Sequence, residues 1–193
     1  MKLSEVRAIV TGGASGLGYA VAELLVAGGG RVTLFDIQET QGQNAARALG
    51  SAAGFQRCDV SSEASIDAAM QAAAAAMGSL NVVVNCAGIG TAGRILGRNG
   101  PMPVEQFTRT IQVNLVGTFM CDRAAAVLMQ HNPPGDDGER GVLIHTSSVA
   151  AFEGQIGQAA YTATKAAVAA MTLPIARELA MFGIRCVAIA PGI

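Results

Sequence analysis

Short apolar segments alternate with longer helical segments along this 193-residue chain, and this order restricts its possible folds more than any other feature. Six strands are predicted, at Arg7–Val10, Arg31–Phe35, Ala53–Arg57, Asn81–Val84, Gly141–His145 and Arg185–Ala190. Five helices are predicted, at Leu17–Ala27, Glu39–Leu49, Glu63–Met77, Val104–Met129 and Gly157–Met181. Strands alternating with helices form a parallel sheet covered on both faces. The predicted fold class is therefore α/β, a doubly wound parallel sheet.

The positions of the loops along the chain predict one domain. Loops are expected at Gly88–Pro103 and at Asn132–Gly141, and no repeat or linker separates a second unit. Residues 1–193 are thus predicted to form a single domain. Pro174 lies inside the last predicted helix, where proline removes a backbone donor, so it should kink that helix or mark its end.

Composition excludes several classes of function. Apolar residues make up 51% of the chain and charged residues 14%, which predicts an extensive core. The net charge of −1, with no basic run, gives no support to nucleic-acid binding. No signal peptide or membrane span is indicated, so we expect a cytoplasmic protein, with the mitochondrial matrix as an alternative. The four cysteines lack a CxxC pair and are predicted to be buried thiols rather than metal ligands: Cys58, Cys86, Cys121 and Cys186.

A glycine-rich turn, Thr11–Gly18, follows the first strand and opens the first helix. Glycines there permit a tight turn and let backbone N–H groups approach a pyrophosphate at the helix N-terminus. The spacing is GxxxGxG, and such a turn taken alone could be no more than a turn. If it binds a dinucleotide, the contacting residues are expected to be Gly12, Ser15, Gly16, Leu17 and Gly18.

Asp36 ends the second strand, 18 residues past Gly18. A carboxylate at this point can accept hydrogen bonds from the adenosine ribose, and its charge repels a 2′-phosphate. No Arg or Lys occurs within Gly12–Gly18 or from Asp36 to Asn44 to bind that phosphate. NAD is therefore favoured over NADP as cofactor. The alternative role for Asp36 is a cap on the strand end.

Polar residues also follow the third and fourth strands. Asp59-Val60 comes after the third strand, and Asn85-Cys86-Ala87-Gly88 comes after the fourth. Taken singly, these are ordinary turn residues. Doubly wound sheets bind ligands at the carboxyl ends of their strands, so together with Gly12 and Asp36 they predict one cofactor site.

Tyr161 and Lys165 lie four residues apart in an alanine-rich helical segment, with Ser148 thirteen residues upstream. This spacing places an ammonium beside a phenol on one helix face. A fixed positive charge stabilises a phenolate, which makes Tyr161 a candidate general acid/base for an alcohol or carbonyl. Taken alone, the pair would more simply be two surface residues of a helix.

These residues together resemble the short-chain dehydrogenase/reductase family over essentially the whole chain, with Cys86 departing from the usual NNAG motif. The resemblance implies that Asp59 contacts adenine and that Lys165 binds the nicotinamide ribose. It implies that Asn114 joins Ser148, Tyr161 and Lys165 as a catalytic tetrad, with Asn114 holding a water that relays protons. It also places the Pro191-Gly192 turn beside the nicotinamide.

The implied mechanism transfers hydride between a secondary alcohol and nicotinamide. Tyr161 would take the hydroxyl proton, and Ser148 would donate a hydrogen bond to the substrate oxygen. Only the spacing to Tyr161 assigns this role to Ser148 rather than Ser147. Gln155 and Gln158 would reach the substrate, or would equally be loop residues satisfying backbone groups. The two histidines are assigned no catalytic role, with a satisfied core position expected for His145 and a helix end for His131.

Within the family, the segments Ala150–Gln155, Gly157–Tyr161 and Met171–Arg177 resemble dehydrogenases that convert 3-hydroxyacyl-CoA to 3-oxoacyl-CoA in fatty acid metabolism. Alternatives are a hydroxysteroid or other secondary-alcohol dehydrogenase, or a non-catalytic assembly subunit that keeps the fold. Family members continue well beyond the Pro-Gly turn, so the C-terminal part is expected to be missing here.

The last two predicted helices, Val104–Met129 and Gly157–Met181, are apolar around much of their circumference. One sheet face cannot cover every side of such helices, and small alanine side chains permit close helix contacts. A homodimer built on both helices is predicted, and the family resemblance extends this to a homotetramer. The alternative is that both helices lie deep in the monomer.

Overall fold

Six parallel strands form one sheet in the computed structural model, which describes residues 1–98 and 100–192. The strands are β1 (Arg7–Thr11), β2 (Arg31–Asp36), β3 (Ala53–Arg57), β4 (Val82–Asn85), β5 (Gly141–Thr146) and β6 (Ile184–Ile189). Their spatial order is β3-β2-β1-β4-β5-β6, and each neighbouring pair is parallel. The chain thus builds outward from β1 in one direction and then from β4 in the other. The predicted doubly wound sheet is confirmed.

Helices connect the strands and cover the sheet. They are α1 (Gly16–Ala27), α2 (Glu39–Leu49), α3 (Glu63–Met77), α4 (Val104–Ile111), α5 (Gly117–Met129) and α6 (Ala159–Leu179). A π-helical segment, Gln112–Val116, joins α4 to α5. Short 3-10 turns occur at Leu3–Glu5, Val149–Ala151 and Ala180–Phe182. Among the described residues, no helix has both the length and the apolar character needed to cross a bilayer.

The predicted strands and helices are confirmed to within about two residues at their ends, with two differences. The single helix predicted over Val104–Met129 is interrupted by the π segment, which inserts a wider turn without ending the helical path. Pro174 lies within α6, and the helix continues beyond it, so the alternative that the helix ends there is wrong. The predicted loop Gly88–Pro103 includes Asn99, which lies outside the described residues, as does Ile193.

Alternating side chains of the strands fill two cores, one on each face of the sheet. On β1, Ile9 enters one core, which α3 and α5 cover, while Ala8 and Val10 enter the other, against α1 and α2. Burial on both faces explains why these strands read as continuous apolar segments. Three thiols are buried as predicted, and Cys86 is half-buried. His145 is fully buried on β5.

Candidate active site

The turn between β1 and α1 depends on glycine at several positions. Gly12 and Gly16 have φ values of 64° and 54°, a region that side chains with a Cβ rarely adopt. Gly13 donates its N–H to the Phe35 carbonyl at 3.1 Å, which holds the turn against β2. A Cβ on Gly18 would collide with the Gly12 carbonyl oxygen. The turn therefore packs tightly while leaving the start of α1 open.

The loops after β1 and β4 touch at the point where the strand order reverses. The Ala87 N–H donates to the Thr11 hydroxyl at 3.0 Å. A Cβ on Gly12 would lie 2.9 Å from the Ala87 Cα, so only glycine permits this approach. Residues widely separated in sequence are thereby joined at one edge of the sheet.

A cavity of about 880 Å³ opens at the carboxyl ends of the strands. This volume lies within the range of small-molecule and cofactor sites. Nine of the predicted cofactor residues line it, namely Gly12, Ser15, Leu17, Gly18, Asp36, Asp59, Val60, Ala87 and Gly88. Gly16 belongs to the same turn without being part of the lining. The cavity is therefore in the place that the sequence predicts.

Asp36 is held between two neighbouring segments. One carboxylate oxygen accepts from the Ala14 N–H at 3.2 Å, and the other accepts from the Gln38 N–H at 3.0 Å. This contact with Gln38 is the strand-end cap considered as the alternative role. Since each carboxylate oxygen has two acceptor sites, both oxygens can still accept a ligand hydroxyl. The cap and a ribose-binding role are therefore compatible.

Asp59 is fixed as an anion by Ser61. The Ser61 hydroxyl and N–H both donate to one carboxylate oxygen, at 2.6 Å and 2.9 Å, and they hold the pKa of Asp59 below its ordinary value. Arg109 also lines the cavity, and its positive charge acts on Asp59 in the same direction. The sequence analysis missed Ser61 and Arg109, although the Asp-x-Ser spacing of Asp59 and Ser61 is a recognisable turn signal. Burial raises the pKa of the neighbouring Cys58 to about 11, so that thiol stays neutral.

Lys165 and Tyr161 lie together beside this cavity. The Lys165 side chain is only 6% exposed, and its Nζ donates to the Thr146 carbonyl at 2.6 Å. Burial lowers the pKa of Lys165 below its ordinary value. The Nζ atom lies 5.7 Å from the centre of the Tyr161 ring, as the spacing of four residues predicts. A Cβ on Gly88 would lie 3.8 Å from this Nζ, so the pair adjoins the cavity lining.

Asn114 occupies the π segment and ties two parts of the site together. Its Oδ1 accepts from the Ile89 N–H at 2.8 Å, while its Nδ2 donates to the Ile89 carbonyl and to the Thr164 hydroxyl. The loop after β4 is thus fastened to α6. The Asn114 carbonyl accepts from the Thr118 hydroxyl at 2.8 Å. A wide turn at a functional residue is typical of π segments.

The two adjacent serines have different surroundings. The buried Ser147 hydroxyl donates to the Lys165 carbonyl at 2.8 Å, which gives this side chain a structural role. Ser148 is half-buried, and its oxygen accepts from the Ala150 N–H at 3.1 Å, an arrangement that leaves its own hydrogen for another acceptor. The Val149 N–H donates to the Pro191 carbonyl at 3.0 Å, so the Pro191-Gly192 turn packs beside this segment.

Four further residues named in the sequence analysis make contacts of their own. The Gln158 side-chain oxygen accepts from the Gln155 N–H at 3.3 Å, which is the backbone-satisfying alternative considered for both. The Asn85 side chain is buried and donates to Asp122 at 2.8 Å, and it does not belong to the cavity lining. His131 lies just past the end of α5, as predicted.

His145 is a satisfied core histidine, as predicted. Its Nε2 lies 2.7 Å from an Asp122 carboxylate oxygen, and its Nδ1 lies 3.0 Å from the Thr172 hydroxyl. Burial raises the pKa of Asp122, and the hydrogen bond from His145 opposes this effect. Nothing in the sequence around Asp122 distinguishes it from an exposed helical carboxylate, and the sequence analysis missed it.

The parallel sheet, the glycine turn and the Tyr161–Lys165 pair define a class of nucleotide-dependent oxidoreductase, and comparison with known proteins agrees. Residues 6–193 match the family model described as short chain dehydrogenase. The chain belongs to this family. It is thus an oxidoreductase that uses a nicotinamide cofactor, NAD(H) or NADP(H), on a small-molecule substrate, and the predicted family resemblance is confirmed.

Individual relatives narrow the similarity further. The chain is 48% identical to bovine 3-hydroxyacyl-CoA dehydrogenase type-2 over 188 residues, covering 96% of this chain and 72% of the relative. It is 50% identical to the protein of the same name from Drosophila melanogaster, of which it covers 73%. A crystal structure of 3-hydroxyacyl-CoA dehydrogenase type-2 from Mycobacterium avium superposes with a TM-score of 0.90 at 43% identity, covering 96% of this chain and 72% of that one.

Proposed function

We propose that this chain, as a single catalytic domain, transfers hydride between the carbinol carbon of a 3-hydroxyacyl-CoA and NAD. The observation that carries the proposal is the Lys165 ammonium, buried beside the Tyr161 ring and next to Gly88 in the cavity lining. A charge is costly to bury, and Lys165 has no carboxylate partner among the described residues, which is typical of a functional group.

Each catalytic side chain has a distinct task in this proposal. Tyr161 accepts the substrate hydroxyl proton in oxidation and returns it in reduction. Lys165 stabilises the phenolate by its charge. Ser148 donates a hydrogen bond to the substrate oxygen as negative charge develops there. Asn114, with its side chain committed to Ile89 and Thr164, keeps the π turn in place.

The cofactor proposed is NAD rather than NADP. NAD supplies the hydride acceptor, and the residues of this chain hold it. The Asp36 carboxylate, fixed by the Ala14 and Gln38 N–H groups, would accept the ribose hydroxyls and repel a 2′-phosphate. The N-terminus of α1, where Ser15 makes no side-chain cap, offers free backbone donors to the pyrophosphate. Asp59 would meet the adenine, and Pro191-Gly192 would flank the nicotinamide.

The substrate class is proposed from the bovine and Drosophila relatives, which are 3-hydroxyacyl-CoA dehydrogenases. Phe152 and Ile156, in the segment between Ser148 and α6, are exposed apolar side chains that would accompany an acyl chain. Gln155 and Gln158 are proposed to border this region, since both lie in the loop that leads into α6.

A substrate panel tests the proposal. Short and medium 3-hydroxyacyl-CoA esters, a hydroxysteroid and a simple secondary alcohol are each assayed with NAD and with NADP, and formation of NADH or NADPH is followed by absorbance. The highest kcat/KM is expected for a hydroxyacyl-CoA ester with NAD. A steroid preferred over every ester would transfer the assignment to the hydroxysteroid alternative, and no turnover with any alcohol would leave the assembly-subunit alternative.

A further inference from the structure

A buried polar cluster behind the candidate active site connects four elements of the fold. Asn85 ends β4 and donates to one oxygen of Asp122 on α5 at 2.8 Å. The other oxygen of Asp122 meets His145 of β5 at 2.7 Å, and His145 meets Thr172 of α6 at 3.0 Å. Asp122 and His145 are 3% and 0% exposed, so water does not compete for these contacts. The proposed mechanism uses none of the four side chains.

Each element in this cluster also carries, adjoins or contacts a residue of the candidate active site. The loop after β4 supplies Ala87 and Gly88. The π segment that carries Asn114 leads directly into α5, and α6 carries Tyr161 and Lys165. His145 is followed by Thr146, whose carbonyl oxygen accepts a hydrogen bond from the Lys165 Nζ at 2.6 Å. A shift of His145 would therefore move the acceptor that fixes the lysine.

The hydrogen bonds also indicate how protons are arranged in the cluster. Thr172 donates its only hydroxyl proton to the Val168 carbonyl at 2.9 Å, so Nδ1 of His145 has to be the donor to Thr172. One further proton then lies between Nε2 and the Asp122 carboxyl group. Whether that proton is on nitrogen or oxygen, the pair has no net charge. A neutral pair with every contact made is the form in which such groups are tolerated in a core.

We propose that Asp122 and His145 are positioning residues, which hold the ends of β4 and β5 against α5 and α6 so that Lys165 and Tyr161 meet the cofactor site. The proposal rests on the catalytic roles assigned above. Displacement of a reacting group by about 1 Å can lower a rate by about a hundredfold. Loss of the pair is expected to lower kcat more than it weakens cofactor binding, because Asp36 at the end of β2 and the glycine turn after β1 lie outside the cluster.

Three variants of the whole chain test this role. In Asp122→Asn the new amide can still accept from Asn85 and can donate to a neutral His145, so kcat is expected within about twofold of wild type. In Asp122→Leu/His145→Leu both partners become apolar, which removes the cross-link; neither of the two is left unpaired, although the buried Asn85 amide loses its acceptor. Cys121→Ala is the matched control, since Cys121 is equally buried on α5 and makes none of these contacts.

The expected outcome separates positioning from stability alone. The double variant should lose about tenfold or more in kcat, with KM for NAD changed less than about threefold, at a temperature where it is fully folded. Cys121→Ala should melt earlier with unchanged kcat. A folded double variant with wild-type kcat overturns the proposal. So does Asp122→Asn as slow as the double variant, because the contacts would then not be what the pair contributes.

If the double variant does not fold, His145→Gln is tested in its place. The glutamine side chain can reach Asp122 but loses the hydrogen bond to Thr172. A larger loss of kcat than in Cys121→Ala supports the proposal, and an equal kcat overturns it. Tyr161→Phe is assayed beside these variants. If Tyr161→Phe keeps full turnover, the proposed function fails, whatever the cluster variants show.

Discussion

Tyr161 carries the only proton that the proposed mechanism transfers to and from substrate. Tyr161→Phe keeps the ring and removes that proton, so kcat is expected to fall by about a hundredfold or more with the Kd for NADH nearly unchanged. Steady-state assays and fluorescence titration with NADH measure the two quantities. Tyr19→Phe, in α1, is the matched control and should behave as wild type. Turnover near the wild-type value in Tyr161→Phe would remove Tyr161 from its role.

Cofactor choice depends on a single carboxylate in our proposal. Asp36→Ala removes the ribose acceptor and the repulsion of a 2′-phosphate, so the preference for NAD over NADP should narrow by about ten- to a hundredfold. The ratio of the two kcat/KM values measures this. Glu39→Ala, at the start of α2, is the control, because among the described residues its carboxylate accepts a side-chain hydrogen bond from Gln43 of the same helix alone. Equal use of both cofactors by the unmodified protein contradicts the prediction.

Lys165 should lower the stability of the fold that it serves. None of the ion pairs among the described residues involves it, and burial lowers its pKa. We expect Lys165→Met to raise the free energy of unfolding by about 1 kcal/mol, the lost bond to Thr146 offsetting part of the gain, while kcat collapses.

The pH dependence of stability gives a second measurement of the same effect. Between the lowered folded-state pKa of Lys165 and its unfolded value of about 10.4, the unfolded chain holds the proton that the folded chain releases, so stability rises with pH. The difference between Lys165→Met and wild type should therefore shrink toward pH 10. A variant that melts well below wild type at neutral pH argues against this account.

Some residue roles could be predicted from the sequence, and others needed contacts. The spacing of Tyr161, Lys165 and Ser148 predicted a set whose first two members the structure brings together. The sequence separates Ser147 from Ser148 only by their spacing to Tyr161. The structure gives the physical difference, because the Ser147 hydroxyl donates a hydrogen bond to the Lys165 carbonyl. Asp122 could not be predicted, since its partner on β5 is brought to it by the tertiary fold alone.

At the scale of elements, the glycine turn gives a direct test. Gly18→Ala places a Cβ against the Gly12 carbonyl oxygen, so the turn has to open and the Kd for NADH should rise about tenfold or more. Gly90→Ala is the matched control, because a Cβ there meets nothing within 4 Å. Calorimetric titration of both variants measures the change. Unchanged affinity in Gly18→Ala would mean that the turn does not need this close packing.

Element boundaries followed from sequence where periodicity and turn residues agreed. The four central strands are buried on both faces, so they appeared as continuous apolar segments. The π segment Gln112–Val116 escaped prediction because it keeps a helical path and apolar residues on either side. Asparagine is a poor helix former, and Asn114 lies where the helix widens into this π turn.

At the scale of the whole molecule, we predict that the chain forms an oligomer with copies of itself. Phe119 and Val127 on α5 and Leu173 on α6 are 52%, 53% and 55% exposed, which leaves an apolar face on these two helices. We propose that a second copy covers it, giving at least a dimer by light scattering at micromolar concentration. Val127→Glu should shift the mass toward the monomer, and Leu24→Glu, on the exposed side of α1, should not. A monomeric wild-type protein contradicts the prediction.

The fold class could be predicted from the sequence, but the order of the strands in the sheet could not. Alternating strands and helices predicted a doubly wound sheet, but the order β3-β2-β1-β4-β5-β6 depends on which strands pair, and pairing leaves no local signal. The site was predictable because the carboxyl ends of parallel strands always share one edge.

The contact between Ala87 and Thr11 spans 76 positions of sequence, and one wall of the cavity comes from each side of it. A nascent chain that has emerged only as far as β3 carries the glycine turn and Asp36 but no opposite wall. Cofactor can therefore add its binding free energy only after β4 has emerged and paired with β1. During synthesis the cofactor therefore stabilises only those chains that have completed this long-range pairing.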